Sequence, residues 1–435
     1  MLVQFRFNNF KCFKELNTLS LVAGKYKHLK RHKIETSQDY SLLSWIGLYG
    51  ENASGKSKAF QAFQFFKTLV LTSSEENKYS NPIPIDPFRL DEESINLPST
   101  FEIVFLLNGI QFRYGIEITK ECIKKEWLYR RKKRETAILR RLGKEFKCNE
   151  RYISKIESSI RNQNMLHDRM LLLSVLSQWQ DPLAKNIINW FKNANVISSV
   201  YSGLEHYSNA MLMTPMKESI LSLLCEADFG ISDLVPNEVD INSLPKEIKK
   251  ILPEEAFSKG KFYDSINSAH IKYNTYGEKI GKEMFHLEKD ESYGTLAFLA
   301  LTAPIIDTLK NGKVLFIDEI DKGLHPNLVE AIIKLFESTE INKKNAQLIF
   351  NTHNIALLRR SSETGYDQIY IVNRDRCSQA YINCISDFKN IKKNSNLEEM
   401  YQTGRFGGIP NLTMFGSVFK TNNEISEEIK CEKSH

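Results

Sequence analysis

The sequence predicts an α/β fold in which two halves, separated along the chain, form one head around a mixed sheet and enclose a mainly helical insert. Three observations support this fold class. A buried strand runs directly into a glycine-rich turn and a helix near residue 50. A strong β-hairpin follows within residues 101–118, and strands alternate with helices after residue 293, as they do in parallel sheets. We expect a first half at 1–135, an insert at 136–282, a second half at 283–390 and a C-terminal tail at 391–435.

The composition is that of a globular protein with a substantial core. Of the 435 residues, 42% are hydrophobic and 26% are charged, and a net charge of +6 permits nucleic-acid contact without arguing for it. The seven cysteines are scattered with no Cys-x-x-Cys pair, which favours reduced thiols over a disulfide framework or a zinc site. The most apolar stretch, Leu296 to Ile306, is too short to span a bilayer, so we expect a cytoplasmic protein without a membrane partner.

Period-two alternation and helical spacing mark the elements of the first half. Alternation at Val3, Phe5 and Phe7 predicts a strand, and a second strand is expected at Thr18–Val22. Residues 45–49 indicate a buried strand, and the apolar residues that follow the glycine-rich turn have helical spacing, at Ala59, Phe63, Phe66 and Val70. The order is therefore strand, loop, helix.

Asn108-Gly109 predicts the tight turn of a hairpin between Phe101–Leu107 and Ile110–Ile118, because both residue types accept positive φ angles. A helical pattern is expected from about Tyr152 to Val196. In the second half we expect helices over 296–309 and around 329–336, with strands at Val314–Ile317, Gln347–Phe350 and Gln368–Val372.

A phosphate-binding loop is predicted at Gly50-Glu51-Asn52-Ala53-Ser54-Gly55-Lys56-Ser57, which fits G-x-x-x-x-G-K-[ST] without a mismatch. In such a loop the backbone N–H groups and the following helix N-terminus face the phosphates. We expect residues 50–58 to bind nucleotide, with Lys56 reaching the β- and γ-phosphates and Ser57 binding Mg²⁺. Lys58 stands where a small polar residue is commoner.

Two carboxylates end the apolar strand Val314–Ile317, as in a Walker B segment. We expect Asp318 to hold Mg²⁺ through water and Glu319 to polarise the attacking water as general base. Alone, a strand followed by Asp-Glu is equally well explained as a solvated turn. The presence of the phosphate loop favours the functional interpretation.

Two further features bear on the type of nucleotide site. His353 follows the next strand, where a switch histidine would hydrogen-bond the γ-phosphate, although an isolated histidine in a loop is more often without function. The turn containing Ser292, Gly294 and Thr295 opens a helix whose N-terminus is suited to cap a phosphate. Because the phosphate loop already occupies one side of the nucleotide, this turn would act on nucleotide held by a second subunit.

Taken in order, these motifs resemble the ABC-type ATPases of bacterial anti-phage abortive-infection systems, specifically the RloA-like branch related to the SMC, RecF and OLD-family ATPases. The resemblance spans nearly the whole chain. Besides the segments above, it rests on Asn9–Phe13, Glu126–Tyr129, Ala227–Ile231, Leu324–Pro326, Thr352-His353 and the glycine-rich Gly404–Pro410.

The resemblance implies an ATPase that uses ATP and Mg²⁺ in a head-to-tail dimer, or an assembly of such dimers. Ser292 of one subunit would meet the γ-phosphate bound by the other, and Asp321 to Leu324 would form the loop crossing that interface. It also implies a separately encoded effector, such as a TOPRIM-type nuclease. The signature is Ser-Tyr-Gly-Thr and not the Leu-Ser-Gly-Gly-Gln of transporters, and no glutamine is assigned to a Q-loop.

Three functions remain open at this stage: a nucleotide-gated sensor or scaffold that controls an effector, a RecF-like DNA-repair ATPase, and an OLD-type nuclease. The last is disfavoured because the residues after His353 contain no convincing acidic set for two metal ions. The basic run from Lys124 to Arg141 keeps nucleic-acid contact open, but its interleaved Glu126 and Glu135 fit a solvated face or the binding of an acidic protein equally well.

Overall fold

A computed structural model of the protein describes residues 1–24, 33–75, 80–153, 166–198, 216–240, 261–360, 365–389, 391 and 395–409. Much of the expected insert between 198 and 282, most of the tail and part of the helical pattern predicted after Tyr152 lie outside these residues. Within the described part of the chain, no helix combines the length and the apolar character needed to cross a membrane.

The described chain contains both strands and helices, as the sequence predicts for an α/β protein. The strands are β1 (Leu2–Asn8), β2 (Asn17–Ser20), β3 (Lys33–Ile34), β4 (Leu42–Leu43), β5 (Trp45–Tyr49), β6 (Ser99–Leu107), β7 (Ile110–Ile118), β8 (Ile123–Arg131), β9 (Glu135–Leu142), β10 (Glu145–Cys148), β11 (Ala194–Ile197), β12 (Ile231–Asp240), β13 (Lys261–Tyr273), β14 (Lys279–His286), β15 (Val314–Ile317), β16 (Gln347–Asn351), β17 (Ile369–Arg374) and β18 (Ala380–Cys384). The helices are α1 (Lys56–Thr72), α2 (Leu172–Gln178), α3 (Pro182–Lys192), α4 (Lys217–Glu226), α5 (Leu287–Asp290), α6 (Tyr293–Asn311), α7 (Pro326–Glu337) and α8 (Leu397–Gln402).

Two large sheets organise the molecule. The first is antiparallel, with the strand order β10-β9-β8-β7-β6-β1-β2. Its central hairpin turns at Asn108 and Gly109, which have φ angles of 51° and 74°, so the predicted Asn-Gly turn is confirmed. The second sheet has the order β11-β15-β16-β5-β17-β18, and its strands are parallel except for the edge strand β18.

Helix α1 packs between the two sheets. The Phe63 ring stacks on Phe316 of the parallel sheet at 4.3 Å between centroids and meets Phe5 of the antiparallel sheet edge-on at 5.3 Å. On the other face of the parallel sheet, α6 and α7 bury apolar side chains such as Leu301 and Ile332. Helices on both faces are what an open parallel sheet requires, since its strands are buried on both sides.

The described part of the segment 136–282 differs from a mainly helical insert. Strands β9 and β10 extend the antiparallel sheet beyond β8, and β11 pairs in parallel with β15. Strands β12, β13 and β14 form a separate three-stranded sheet, while the helices are α2, α3 and α4. Short apolar runs fit strands and helices equally well by periodicity, and pairing with an existing sheet edge decides the outcome here.

Candidate nucleotide-binding site

The glycine-rich loop lies at the carboxyl end of β5, directly before α1. Gly55, with a φ of 117°, precedes the first helical residue. Gly50 has a φ of 152°, and a Cβ atom there would lie 2.4 Å from the carbonyl oxygen of Val372. Glycine is therefore required at the first loop position, because any side chain would collide with the neighbouring strand.

Lys56 lies inside this loop. Its Nζ donates to the carbonyl oxygens of Gly50 and Glu51, both at 2.8 Å, and the residue is only 5% exposed. Burial lowers the pKa of Lys56 to about 8, against the opposing effect of nearby carboxylates, of which Glu319 is the strongest. The ammonium group therefore occupies a confined position among carbonyl oxygens that phosphate oxygens could replace.

Ser57 and Asp318 meet at the carboxyl ends of the strands of the parallel sheet. The Ser57 hydroxyl donates to Asp318 Oδ1 at 2.8 Å, although the two residues are far apart in the sequence. A hydroxyl and a carboxylate are the hard oxygen ligands that Mg²⁺ accepts together with phosphate oxygens and water, so these residues fit the ion. Bound there, Mg²⁺ would neutralise phosphate charge. Among the described residues, this site included, no group of three or more His, Cys, Asp or Glu is placed to hold a metal ion.

Asn351, at the end of β16, holds both residues of the Walker B pair. Its Nδ2 donates to Asp318 Oδ1, and its Oδ1 accepts the backbone N–H of Glu319 at 2.7 Å. Glu319 has a φ of 55°, a left-handed conformation that costs energy outside glycine. The amide of Asn351 therefore helps to hold a strained backbone that aims the Glu319 side chain. The sequence signal that could have indicated a role for Asn351 is its position as a polar residue at the carboxyl end of a central strand.

His353 and Arg374 complete the surroundings of the loop. The backbone N–H of His353 donates to Asp321 Oδ2 at 3.3 Å, and partial burial together with the charge of Lys56 lowers the pKa of the imidazole. Arg374, at the end of β17, donates from Nη1 to the carbonyl oxygen of Ala53 at 3.3 Å. Arg374 carried no sequence signal, because its place beside the loop depends on β17 pairing with β5.

The predicted signature turn lies at the start of α6. The Ser292 side chain is exposed and accepts the backbone N–H of Thr295 at 3.1 Å, which makes Ser292 the N-cap. A Cβ atom on Gly294 would lie 2.8 Å from the carbonyl oxygen of Gly323. The signature turn and the loop from Asp321 to Leu324 are thus packed against each other within one chain.

The three-stranded sheet contacts the signature turn through the residue that precedes Ser292. Glu291 Oε1 accepts a 2.5 Å hydrogen bond from Ser268 Oγ and lies 2.7 Å from His270 Nε2. Both partners belong to β13. A displacement of this sheet would therefore be transmitted directly to the signature turn.

The remaining predicted residues lie where the loop and the following helix place them. Asn52, Ala53 and Lys58 are exposed, and Ser54 is buried. The basic run is partly neutralised, since Lys125 pairs with Glu117, whereas Glu135 within the run pairs with Arg113 outside it. The solvated-face alternative does not hold for Glu126, which is buried because the strand register turns it towards α2.

The fold and the arrangement of loop, helix and carboxylates define a P-loop ATPase of the AAA/ABC-like class, whose domain is built from two discontinuous halves. The chain belongs to the family described as AAA domain, putative AbiEii toxin, Type IV TA system, whose model matches residues 46–164 and 208–359, more than half of the sequence. Comparison with curated proteins gave no match.

Proposed function

We propose that the protein binds and hydrolyses ATP in the presence of Mg²⁺. The observation that carries this proposal is the 2.8 Å hydrogen bond between Ser57 and Asp318, which joins the phosphate loop to the Walker B strand. Lys56 would bind the β- and γ-phosphates, Glu319 would act as general base and His353 would contact the γ-phosphate. Each of these roles requires a residue near the carboxyl ends of the parallel strands, where nucleotide is expected to bind.

The test compares Glu319→Gln with Lys56→Ala. Glu319→Gln should keep ATP binding and lose most turnover, because it removes the base and retains the ground-state phosphate contacts. Lys56→Ala should weaken both. Glu330→Gln, which alters a half-buried glutamate paired with Lys334 on α7, is the matched control and should retain activity. Equal turnover in the wild-type protein and Glu319→Gln would refute the assignment of the base.

We further propose that two subunits share each ATP site. Ser292 is exposed at a helix N-terminus, and its turn packs on the loop from Asp321 to Leu324. Two segments that would face a second subunit therefore form one continuous surface. A head-to-tail dimer, or an assembly of such dimers, would bring Ser292 to the γ-phosphate held by the partner subunit's loop.

The proposed biological role is that of a cytoplasmic, RloA-like sensor or scaffold that controls a separately encoded effector in anti-phage defence. The family description, which names a toxin of a type IV toxin–antitoxin system, supports this role. The bonds from Ser268 and His270 to Glu291 offer a route from the nucleotide site to the three-stranded sheet. A TOPRIM-type nuclease is the proposed effector class.

Affinity purification from cells carrying the native operon tests effector control. Wild-type protein and Glu319→Gln should recover a stoichiometric protein partner in different amounts, because a ligand shifts a two-state assembly only when the states differ in affinity. Recovery of no such partner with either protein, together with ATP turnover stimulated by DNA alone, would favour the RecF-like repair ATPase.

The outer face of the antiparallel sheet favours that second candidate. Arg113 lies over the Tyr129 ring at 4.3 Å and Arg140 lies over the same ring at 5.3 Å. Trp127 and Lys147 join them around a cavity of about 610 Å³. Cations next to aromatic rings suit nucleic acid, whose binding would weaken as salt is raised. Arg140→Glu should then reduce DNA binding, while Lys334→Glu on α7 should not.

A further inference from the structure

A glycine-rich turn near the end of the described chain lies against the phosphate loop. This turn, residues 404–408, follows α8. Gly408 has a φ of 70°, and a Cβ atom there would lie 3.2 Å from Gly50 Cα and 2.9 Å from Ile371 Cγ2. Neither the backbone angle nor the available space accommodates a side chain at Gly408.

Gly50 is confined by β17 as well. A Cβ atom on Gly50 would meet the Val372 carbonyl oxygen at 2.4 Å. The backbone at the start of the phosphate loop is thus in close contact with both β17 and the glycine-rich turn. The Gly50 carbonyl also accepts the 2.8 Å hydrogen bond from Lys56 Nζ. Displacement of Gly50 would therefore move the lysine that is proposed to bind phosphate.

The glycine-rich turn is itself firmly anchored. The Tyr401 hydroxyl donates to the Gly408 carbonyl oxygen at 2.6 Å, and Asn373 Nδ2 donates to the Phe406 carbonyl oxygen at 3.1 Å. Phe406 is 2% exposed and packs edge-on against Phe388 at 5.2 Å between centroids. These contacts fix the position of the turn. The hydroxyl of Tyr401, on α8, holds the Gly408 carbonyl in place.

We infer that Gly408 and Tyr401 are positioning residues of the ATP site, holding Gly50 where the phosphate loop can receive the nucleotide. This inference rests on the proposed function. Neither residue needs to touch the nucleotide, since each acts through the backbone of Gly50. Loss of this support should weaken the binding of ATP and of ADP alike, because the loop contacts phosphates common to both. It should also raise KM more than it lowers kcat.

Gly408→Ala tests the inference against Gly143→Ala. Gly143 also has a positive φ, 55°, but a Cβ atom there would meet nothing within 4 Å. Both variants thus place alanine in a left-handed conformation, and only Gly408→Ala pushes on the phosphate loop. We expect Gly408→Ala to lower the affinity for fluorescent ATP and ADP analogues by about tenfold. Gly143→Ala should leave both affinities unchanged.

Tyr401→Phe provides a test that preserves packing. It removes the hydroxyl that is hydrogen-bonded to Gly408 and should lower the affinity for both nucleotides by about threefold. Thermal unfolding without nucleotide verifies that each variant is folded. If wild-type protein binds ATP and neither Gly408→Ala nor Tyr401→Phe changes its affinity, the inference is wrong and the proposed function stands. If Gly408→Ala does not fold, Tyr401→Phe decides alone. Failure of wild-type protein to bind ATP would overturn both.

Discussion

The side chain of Asn351 donates to the carboxylate of Asp318, and the same amide accepts the N–H of Glu319 at 2.7 Å. One amide therefore holds the proposed magnesium ligand and the proposed base in a fixed relation. The arrangement depends on both hydrogen-bonding functions of an asparagine, because one partner is an acceptor and the other is a donor.

Replacing Asn351 should impair hydrolysis more than binding. In Asn351→Ala the left-handed backbone at Glu319 loses an acceptor, so the base is no longer held in position, while the phosphate loop is unchanged. We expect kcat for ATP to fall by about tenfold or more with a small change in nucleotide affinity. Asn383→Ala, on the edge strand β18, is the control. An unchanged kcat in Asn351→Ala would show that the amide has no role in positioning Glu319.

A shared site predicts complementation between two inactive variants. Ser292→Arg should impair hydrolysis with little effect on nucleotide binding, and Lys56→Ala should be inactive through the phosphate loop. A mixed dimer combines one intact phosphate loop with one intact signature turn, so mixing should restore turnover. Subunit exchange is measured in parallel with differently labelled protein. A mixture that exchanges subunits and remains inactive would contradict the composite site.

The phosphate loop could be predicted from sequence because its determinants are local. Glycines and Lys56 are close together in the chain, and the strand and helix on either side have clear apolar patterns. The roles of Asn351 and Gly408 could not be predicted in this way. Asn351 acts on residues that follow another strand, and Gly408 meets Gly50 only because the fold brings the glycine-rich turn against both β17 and the phosphate loop. Such contacts depend on strand order, which no local pattern specifies.

The same dependence on strand pairing explains why Glu126 is buried and does not lie on a solvated face. In sequence it lies within a basic run, where a carboxylate usually belongs to a solvated face. Pairing of β8 with β7 sets Glu126 opposite Ile116, on the face covered by α2. Strand register decides the face, and a shift of one residue would reverse the orientation of every side chain.

ATP binding should take up a proton at mildly alkaline pH. The Lys56 pKa of about 8 means that its amine is partly neutral above that pH, and phosphate oxygens favour the charged form. Binding would raise this pKa, so affinity should be constant near pH 7 and fall as pH rises through 8. A phosphate group loses its last proton with a pKa of about 6, so the charge of the nucleotide changes little as the pH rises through 8.

Calorimetry in buffers of different ionisation enthalpy measures this uptake. At pH 8.5 about three quarters of an amine with a pKa of about 8 is neutral, so we expect roughly 0.75 proton per ATP bound, and close to none at pH 7. Lys56→Arg should abolish the uptake, because a guanidinium stays charged throughout this range. No uptake by wild-type protein at pH 8.5 would show that the Lys56 pKa is not lowered by its position in the loop.

The buried pair of Glu126 and Arg141 should contribute strongly to the attachment of α2. The Glu126 carboxylate accepts the backbone N–H groups of Leu172 and Leu173 at 2.7 and 2.9 Å, at the N-terminus of that helix. Arg141 Nη1 lies 3.8 Å from the carboxylate, and both side chains are fully buried. Burial raises the pKa of Glu126, and the charge of Arg141 is the strongest effect opposing this rise.

Removing one member of this pair leaves a buried charge without its partner. Arg141→Met should therefore lower the free energy of unfolding by about 3–5 kcal/mol. Lys125→Met, which breaks an exposed pair with Glu117 in the same sheet, should cost less than about 1 kcal/mol because water screens that pair. Urea unfolding of the two variants compares them directly. Similar small losses in both variants would mean that the buried Glu126 does not need the charge of Arg141.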